Sequence, residues 1–399
     1  MKKRIILISL STPTSFNCGA ASALPYHLAK YRPKDVELEI YSFNINKIGE
    51  NVIRQSENEL NAKITIISLP KWYCWMFRLH LLMLRVFLKY PFMAYLNLPK
   101  GIKKKIKVIN PDAIWIYGEE LSHIARQFPE KRCVITTPDC EAMYYYRVLR
   151  KRGSFTHLFS LLKNALMYQK YVHMVEDFPT KNVRYHLVGN EDCEFLQNIN
   201  PVADAVFINH PHYDYSEKKV IRFSQPKIKI LIAGRYDFYM QDKCDELFEA
   251  MVKSADDLLS HFTITFLGKD WEEPAAKLQA VGFEVNNILF APDYIEELIK
   301  HDIQITPIGV GTGTKGKVLD AFANGLLVMG TFRALENIQV KAGESCILYN
   351  CPQEVITQLH NIVANMTDYE KIAEEGRKAI LMFHGRKLVA DKFFRLFEQ

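Results

Sequence analysis

Short β-branched runs alternate with longer amphipathic stretches along this chain, and the alternation starts over once, after residue 226. Arg4–Leu10, Val36–Phe43, Ile64–Leu69, Ala113–Tyr117 and Cys133–Thr137 read as strands, with helical patterns after Ala20, Trp72 and Gly153. Beyond the restart, Lys229–Ala233, Phe262–Leu267, Asn287–Phe290, Ile303–Pro307, Leu326–Gly330 and Ser345–Leu348 read as strands, separated by helices near 243–258, 272–281, 294–300, 315–324 and 352–364. This rhythm predicts an α/β fold with two tandem Rossmann-like sheets. In such open sheets ligands lie outside the carboxyl ends of the strands, so two such domains facing across a cleft would each bring one ligand. The chemistry is therefore sought on the loops that follow strands.

Length agrees with two cores, since 399 residues exceed one average domain. A polar stretch between Pro211 and Pro226 marks the boundary, giving an N-terminal domain over 1–210 and a second domain over 211–382. A hydrophobic fraction of 48% with 24% charged residues excludes disordered, collagen-like and coiled-coil chains. Residues 1–200 carry 29 Lys and Arg against 17 Asp and Glu, the remainder 22 against 28, so the halves stand at +12 and −6. The first half is thus expected to meet something anionic. The eight cysteines form no C-x-x-C pair and show no metal-ligand spacing with His, which reads as reduced thiols of a cytoplasmic protein. Ile5–Leu10 is too short for a secretory apolar core and reads as a first strand, and charges with Pro91 interrupt Trp72–Leu96, so no membrane-spanning helix is expected.

The richest segment is 303–330. An apolar strand ends at Thr306-Pro307, a loop runs Gly309-Val310-Gly311-Thr312-Gly313-Thr314, and a helix opens near Lys315 and closes at Asn324-Gly325. Glycines permit close backbone approach, and the free N–H groups of a helix start make a phosphate site, with Lys315 and Lys317 adding charge. Asp320, three residues after Lys317, could accept hydrogen bonds from two ribose hydroxyls. A plain glycine turn with an i,i+3 Lys–Asp pair is the alternative that the residues alone leave open.

The run Gly311–Val328 resembles the donor-site signature of GT-B glycosyltransferases of the large retaining family 4, G-[ST]-G-[ST]-x-x-K-x-L-E-A-x-A-x-G-x-P-V. Leu231-Ile232-Ala233-Gly234-Arg235 resembles that family's strand ending in Gly-Arg, and Asp293–Leu298 resembles its short helix before the loop. The resemblance is strong over 226–360 and diffuse over 1–225. It implies that Arg235 and Lys317 bind the donor diphosphate, with Lys243 a weaker candidate. Gly234, Gly313, Thr314 and Lys315 would supply further contacts, Asp320 would take the ribose, and Glu336 would lie near the sugar or phosphates or else on the surface. The chain has Thr312 where many members carry Glu, and Asp320 where they carry Glu. The resemblance also implies a final helix, 383–399, packing back on the first domain, retention of configuration, and no cofactor or divalent metal.

In the first half, Gly19 sits where the family has glycines after its first strand, with helix-start packing as the alternative. Asp139 resembles the acid of a strand-end T-x-H-D segment, with Pro138 in place of His, and would orient or deprotonate an acceptor hydroxyl or else cap the helix beginning at Glu141. Glu119 and Glu120 form a paired acid at another strand end. Across 71–107, Trp72, Trp75, Phe77, Phe87 and Tyr90 accompany Arg78, Arg85 and Lys89, whose spacing would put these cations on one helical face, with Lys103–Lys105 and Lys107 following. This fits an anionic membrane surface, here the inner face of the membrane, or a solvated domain edge; no nucleic-acid-binding motif accompanies the charge. The expected activity is transfer of a hexosyl group from a nucleotide-diphosphate sugar to a hydroxyl of a glycan or lipid-linked glycan, in cell-surface polysaccharide or glycolipid assembly. A non-catalytic nucleotide- or glycan-binding protein and a nucleotide-sugar 2-epimerase are the alternatives.

Overall fold

The computed structural model describes residues 2–15, 20–151, 158–217 and 220–398. They form two compact units, Met1–Pro211 with Arg386–Gln399, and His212–Gly385.

In the first unit the described strands are β1 (Lys3–Ser9), β2 (Val36–Ser42), β3 (Lys63–Ile66), β4 (Ala113–Tyr117), β5 (Arg132–Thr136), β6 (Val183–Leu187) and β7 (Ala205–Phe207). All pair in parallel, in the order β3-β2-β1-β4-β5-β6-β7. Helices cover both faces, which is why β1 is a continuous apolar run: Ile6 and Ile8 enter one core layer with Ile114 and Ile116, while Ile5 and Leu7 enter the other with Trp115. The helix Arg386–Phe394 closes that second layer. Phe393 and Phe394 lie 4.7 and 5.9 Å from the Trp115 ring, and the Lys3 ammonium donates to the Phe397 carbonyl at 2.7 Å.

The second unit repeats the winding with β8 (Ile228–Ala233), β9 (Phe262–Leu267), β10 (Glu284–Ile288), β11 (Ile303–Thr306), β12 (Leu327–Gly330) and β13 (Ile347–Leu348), in the parallel order β10-β9-β8-β11-β12-β13. Strand order therefore reverses between β1 and β4 in one unit and between β8 and β11 in the other. At such switch points the loops diverge and leave a crevice at the carboxyl edge.

Several expectations change. β6 and β7 were not foreseen, because β6 carries Arg184 and His186 and β7 is only three residues long. β10 spans Glu284–Ile288 instead of Asn287–Phe290, and Leu289 and Phe290 lie exposed beyond it. Residues 71–107 are not one helix. A helix over Lys71–Arg78, a 3-10 helix over Leu81–Phe87, another over Phe92–Tyr95 and a helix over Lys100–Ile109 replace it, with His80 in the left-handed region at φ 53° and prolines at 91 and 99 before the later pieces. Arg78, Arg85 and Lys89 therefore share no helical face, and Lys89 instead pairs with Asp177 at 2.7 Å. The seven described cysteines are free.

Candidate active site

In the second unit the loops after β8 and β11 meet at the switch point. The β8 loop begins at Gly234, with φ +144°, and its carbonyl accepts from the Trp271 indole at 2.9 Å. It passes so close to Gly268 that a Cβ there would lie 1.8 Å from the Gly234 oxygen, so only glycine fits. Further along, the Tyr239 carbonyl accepts the amides of Gly309 and Val310 at 2.9 and 3.2 Å, which ties the β8 loop to the glycine-rich loop. The Lys243 side chain crosses Gly309, where an added Cβ would approach its Cγ to 3.3 Å. The Gly234-Arg235 loop, Lys243 and the glycine loop are thus brought side by side.

The helix after this loop is Gly316–Ala323, capped by Lys315. Val318, Leu319, Ala321, Phe322 and Ala323 bury its apolar face, which fixes its axis against the sheet. The Lys315 carbonyl accepts from Val318 and Leu319, whereas the Gly316 and Lys317 amides make no hydrogen bond among the described residues. Two donors at a positive dipole end are therefore available to an anion. The Lys317 side chain keeps solvent exposure, with its ammonium 5.7 Å from the Tyr294 ring centre. Desolvation holds its pKa below the usual lysine range, against the opposing pull of Asp320.

The other residues take more specific positions. Arg235 is exposed and its Nε donates to Asp270 at 2.6 Å; that hydrogen bond raises its pKa, and because both partners face water the pair is readily exchanged for another anion. The Lys315 ammonium turns back onto the Thr312 and Gly313 carbonyls, Gly313 has φ +60°, and Thr314 is buried. Asp320 is buried and its Oδ1 accepts the Tyr213 amide at 3.1 Å, so part of its hydrogen-bonding capacity holds the 213–216 segment. Glu336 is buried rather than on the surface and pairs with Arg333 at 2.6 Å.

Sequence reasoning passed over Tyr294. Its phenol oxygen is buried with no hydrogen-bond partner among the described residues, and burial, with the Asp320 charge adding to it, raises its pKa. A buried hydroxyl without a partner costs free energy, so one beside Lys317 and Asp320 invites a ligand. The only signal was its place at the start of the short helix preceding the glycine loop.

In the first unit the switch-point loops carry acid. Gly19 lies outside the described residues. Glu119 follows β4, is buried, and accepts the Glu141 amide at 3.1 Å through Oε2, while its Oε1 has no partner among the described residues. Burial raises its pKa well above the usual range, and Glu141, Glu120 and Asp139 add to this. Burial likewise raises Glu120, whose Oε1 accepts from Tyr171 at 3.1 Å, and with Glu120, Asp139 and Asp192 it pushes Glu141 to about 8. The amides of Cys140 and Glu141 at the start of the following helix go to Asp192 and Glu119. Asp139 itself is half-buried at the carboxyl end of β5. A concavity of about 880 Å³, lined by Lys2, Arg4, Lys30, Arg32 and Lys63 among others, opens at the amino ends of β1–β3, the wrong end of the sheet for a switch-point ligand.

No protein-family model matches the chain. No curated protein matches it either. Solved structures match it along nearly its whole length. A glycosyltransferase from Rickettsia africae superposes with a TM-score of 0.65 at 14% identity, covering 100% of this chain and 98% of its own. Sucrose-phosphate synthase from Thermosynechococcus elongatus gives 0.65 at 11%, covering 100% and 99%. Anabaena Alr3699/HepE in complex with UDP gives 0.65 at 10%, covering 99% of each chain. At such identities the likeness establishes the fold, two Rossmann-like parallel-sheet domains of the GT-B type; the strand rhythm predicted the tandem sheets and the resemblance over Gly311–Val328 implied the GT-B type.

Proposed function

We propose that this chain is a glycosyltransferase that moves a sugar from a nucleotide-diphosphate sugar to an acceptor hydroxyl. The observation that carries the reading is the switch point between β8 and β11, where Arg235 on the β8 loop, Lys243 and Lys317 in the helices that follow the two loops, and two unengaged helix amides come from adjoining segments, Lys243 being paired with Glu246 at 2.7 Å. A diphosphate ester is the ligand such a set suits. It offers anionic oxygens to the helix start and the two lysines, and its departure builds negative charge that fixed cations stabilise. In this reading Arg235 leaves Asp270 for the diphosphate and Lys317 holds the oxygen of the breaking bond. Gly234, Gly313, Thr314 and Lys315 shape the loop around it, the second carboxylate oxygen of Asp320 takes the ribose, and Glu336 with Arg333 flanks the loop. Supporting context comes from Anabaena Alr3699/HepE, solved with UDP-glucose as well as UDP.

We further read the transfer as retaining, in the manner of family 4, with a hexosyl group moved. The bond from the anomeric carbon to the phosphate oxygen breaks as the bond from the acceptor oxygen forms on the same face. The acceptor's proton passes to the departing phosphate, which leaves as the nucleoside diphosphate. On the acceptor side, Asp139 is the residue we assign to orient the hydroxyl.

A thermal-shift panel of UDP, GDP, ADP and CMP forms tests the donor assignment. Ligand at a hundredfold its Kd stabilises the folded protein by about 2.7 kcal/mol, several degrees of melting temperature. Labelled sugar donor then separates transferase from silent binder. Binding without transfer or hydrolysis would favour the non-catalytic alternative, and product sugar formed without an acceptor would favour the epimerase.

A further inference from the structure

Between Glu59 and Asp112 the sequence holds no acid but ten Lys and Arg residues. Within this stretch the helix Lys71–Arg78 and the 3-10 helix Leu81–Phe87 are fastened to the first unit from one side. Tyr73 is buried and stacks on Phe92 at 5.2 Å, and Trp72 meets the same ring edge-on at 5.5 Å. Six other large apolar side chains face water: Trp75 is 61% exposed, Leu79 58%, Met83 71% and Phe87 86%, with Leu84 and Val86 also exposed. Lys71, Arg78 and Arg85 stand exposed among them, and none of the three is in an ion pair among the described residues. Water-facing apolar side chains in such density mark an interaction surface.

We propose that residues 71–87 dock the first unit on an anionic lipid bilayer. A protein partner would need its own acidic patch to meet the unpaired cations, whereas anionic headgroups supply the charge and the acyl boundary takes the indole, thioether and phenyl groups. Docking is superficial, since no described helix is long and apolar enough to cross a membrane. The two short elements, broken at His80, present the apolar groups as a cluster on bent backbone rather than as the stripe of one amphipathic helix. The inference stands apart from the transferase reading, because it uses none of the donor-site residues.

The test floats the full-length protein, without nucleotide, with phosphatidylcholine vesicles and with the same vesicles containing phosphatidylglycerol. The wild type floats with the anionic vesicles and comes off as salt rises. The triple variant Trp75→Asp, Met83→Asp, Phe87→Asp loses binding at an unchanged melting temperature, because those side chains are exposed in the free protein. Arg78→Gln and Arg85→Gln each weaken binding about fivefold, the counterpart of about 1 kcal/mol per cation near an anionic surface. Failure of the wild type to bind anionic vesicles at low salt overturns the proposal, as does undiminished binding by the triple variant. Self-association of the wild type that the triple variant abolishes, with no lipid binding, gives the surface to a second copy of the chain and overturns it equally.

Discussion

The switch points of the two units differ in the sign of their candidate site residues. In the first unit the loops after β4 and β5, with the helix that follows, present Glu119, Glu120, Asp139 and Glu141; in the second the loops after β8 and β11, with the helices they open, present Arg235, Lys243, Lys315 and Lys317. The halves of the sequence run the other way, +12 and −6. Topology thus sets where a crevice forms, and a few loop residues set its potential, whatever the net charge of the domain around it. In the first unit burial raises the pKa values of Glu119, Glu120 and Glu141, whereas in the second the hydrogen bond to Asp270 raises that of Arg235 and desolvation lowers that of Lys317.

The largest test of the contrast concerns independence of the units. Phe393→Ala removes a ring packed on Trp115 and His186, and should cost the first unit about 3–5 kcal/mol. Hydrogen exchange should show β1–β7 losing protection while β8–β13 keep theirs; equal loss in both sheets would break the two-unit description.

Next comes Lys317→Ala. Loss of a fixed cation at the developing charge should lower kcat by about 10²–10³-fold without moving the melting temperature, and Arg235→Ala should act in the same direction. Wild-type turnover from either variant would remove the donor role from the basic switch point.

The acidic site predicts a pH dependence of opposite sense to that of ordinary paired carboxylates. Glu141 has a usual value of 4.5 and is raised to about 8 in the folded chain, so between these values the folded state binds more protons than the unfolded one. Stability should fall as pH rises through that window, and Glu141→Gln should flatten the slope in a chemical denaturation series. His186 gives a contrary slope at lower pH: burial, with His210 adding to it, depresses it from 6.5 to about 3, so its contribution disappears as pH falls through that range. A denaturation series with no difference between wild type and Glu141→Gln would mean that the cluster is solvated.

The smallest effect is the most specific. Tyr294→Phe deletes a hydroxyl that has no partner among the described residues, so melting should hold or rise, while donor KM should increase about three- to tenfold if the phenol bonds to the ligand. Unchanged KM would leave Tyr294 a packing residue.

Much of this was readable in order along the chain. β1, β4 and β8 are largely apolar because both of their faces are covered, so local composition announces them; the glycine loop and the helix start at Lys315 announce themselves by turn and cap chemistry. Where polar residues interrupt a strand, as Arg184 and His186 do in β6, the partner that tolerates them is remote: Arg184 pairs with Asp204, and His186 lies in the second core layer beside Phe393. No window of sequence contains both. The spacing of Arg78, Arg85 and Lys89 by seven and four suggested a helical face because spacing says nothing of a left-handed residue at 80 between them.

The sequence by itself determined two parallel sheets in tandem and the loop on which a phosphate could sit, since hydrophobic period, glycine and cap residues act over a few neighbouring positions. The tertiary structure alone decided that the Tyr239 carbonyl joins the loops after β8 and β11, that Asp320 shares its carboxylate with Tyr213, that the Tyr294 hydroxyl is left without a partner among the described residues, and that the pKa values of three acids near β4 and β5 are raised. Those outcomes depend on desolvation and on pairs more than twenty residues apart, and such terms exist only once the chain has closed around them.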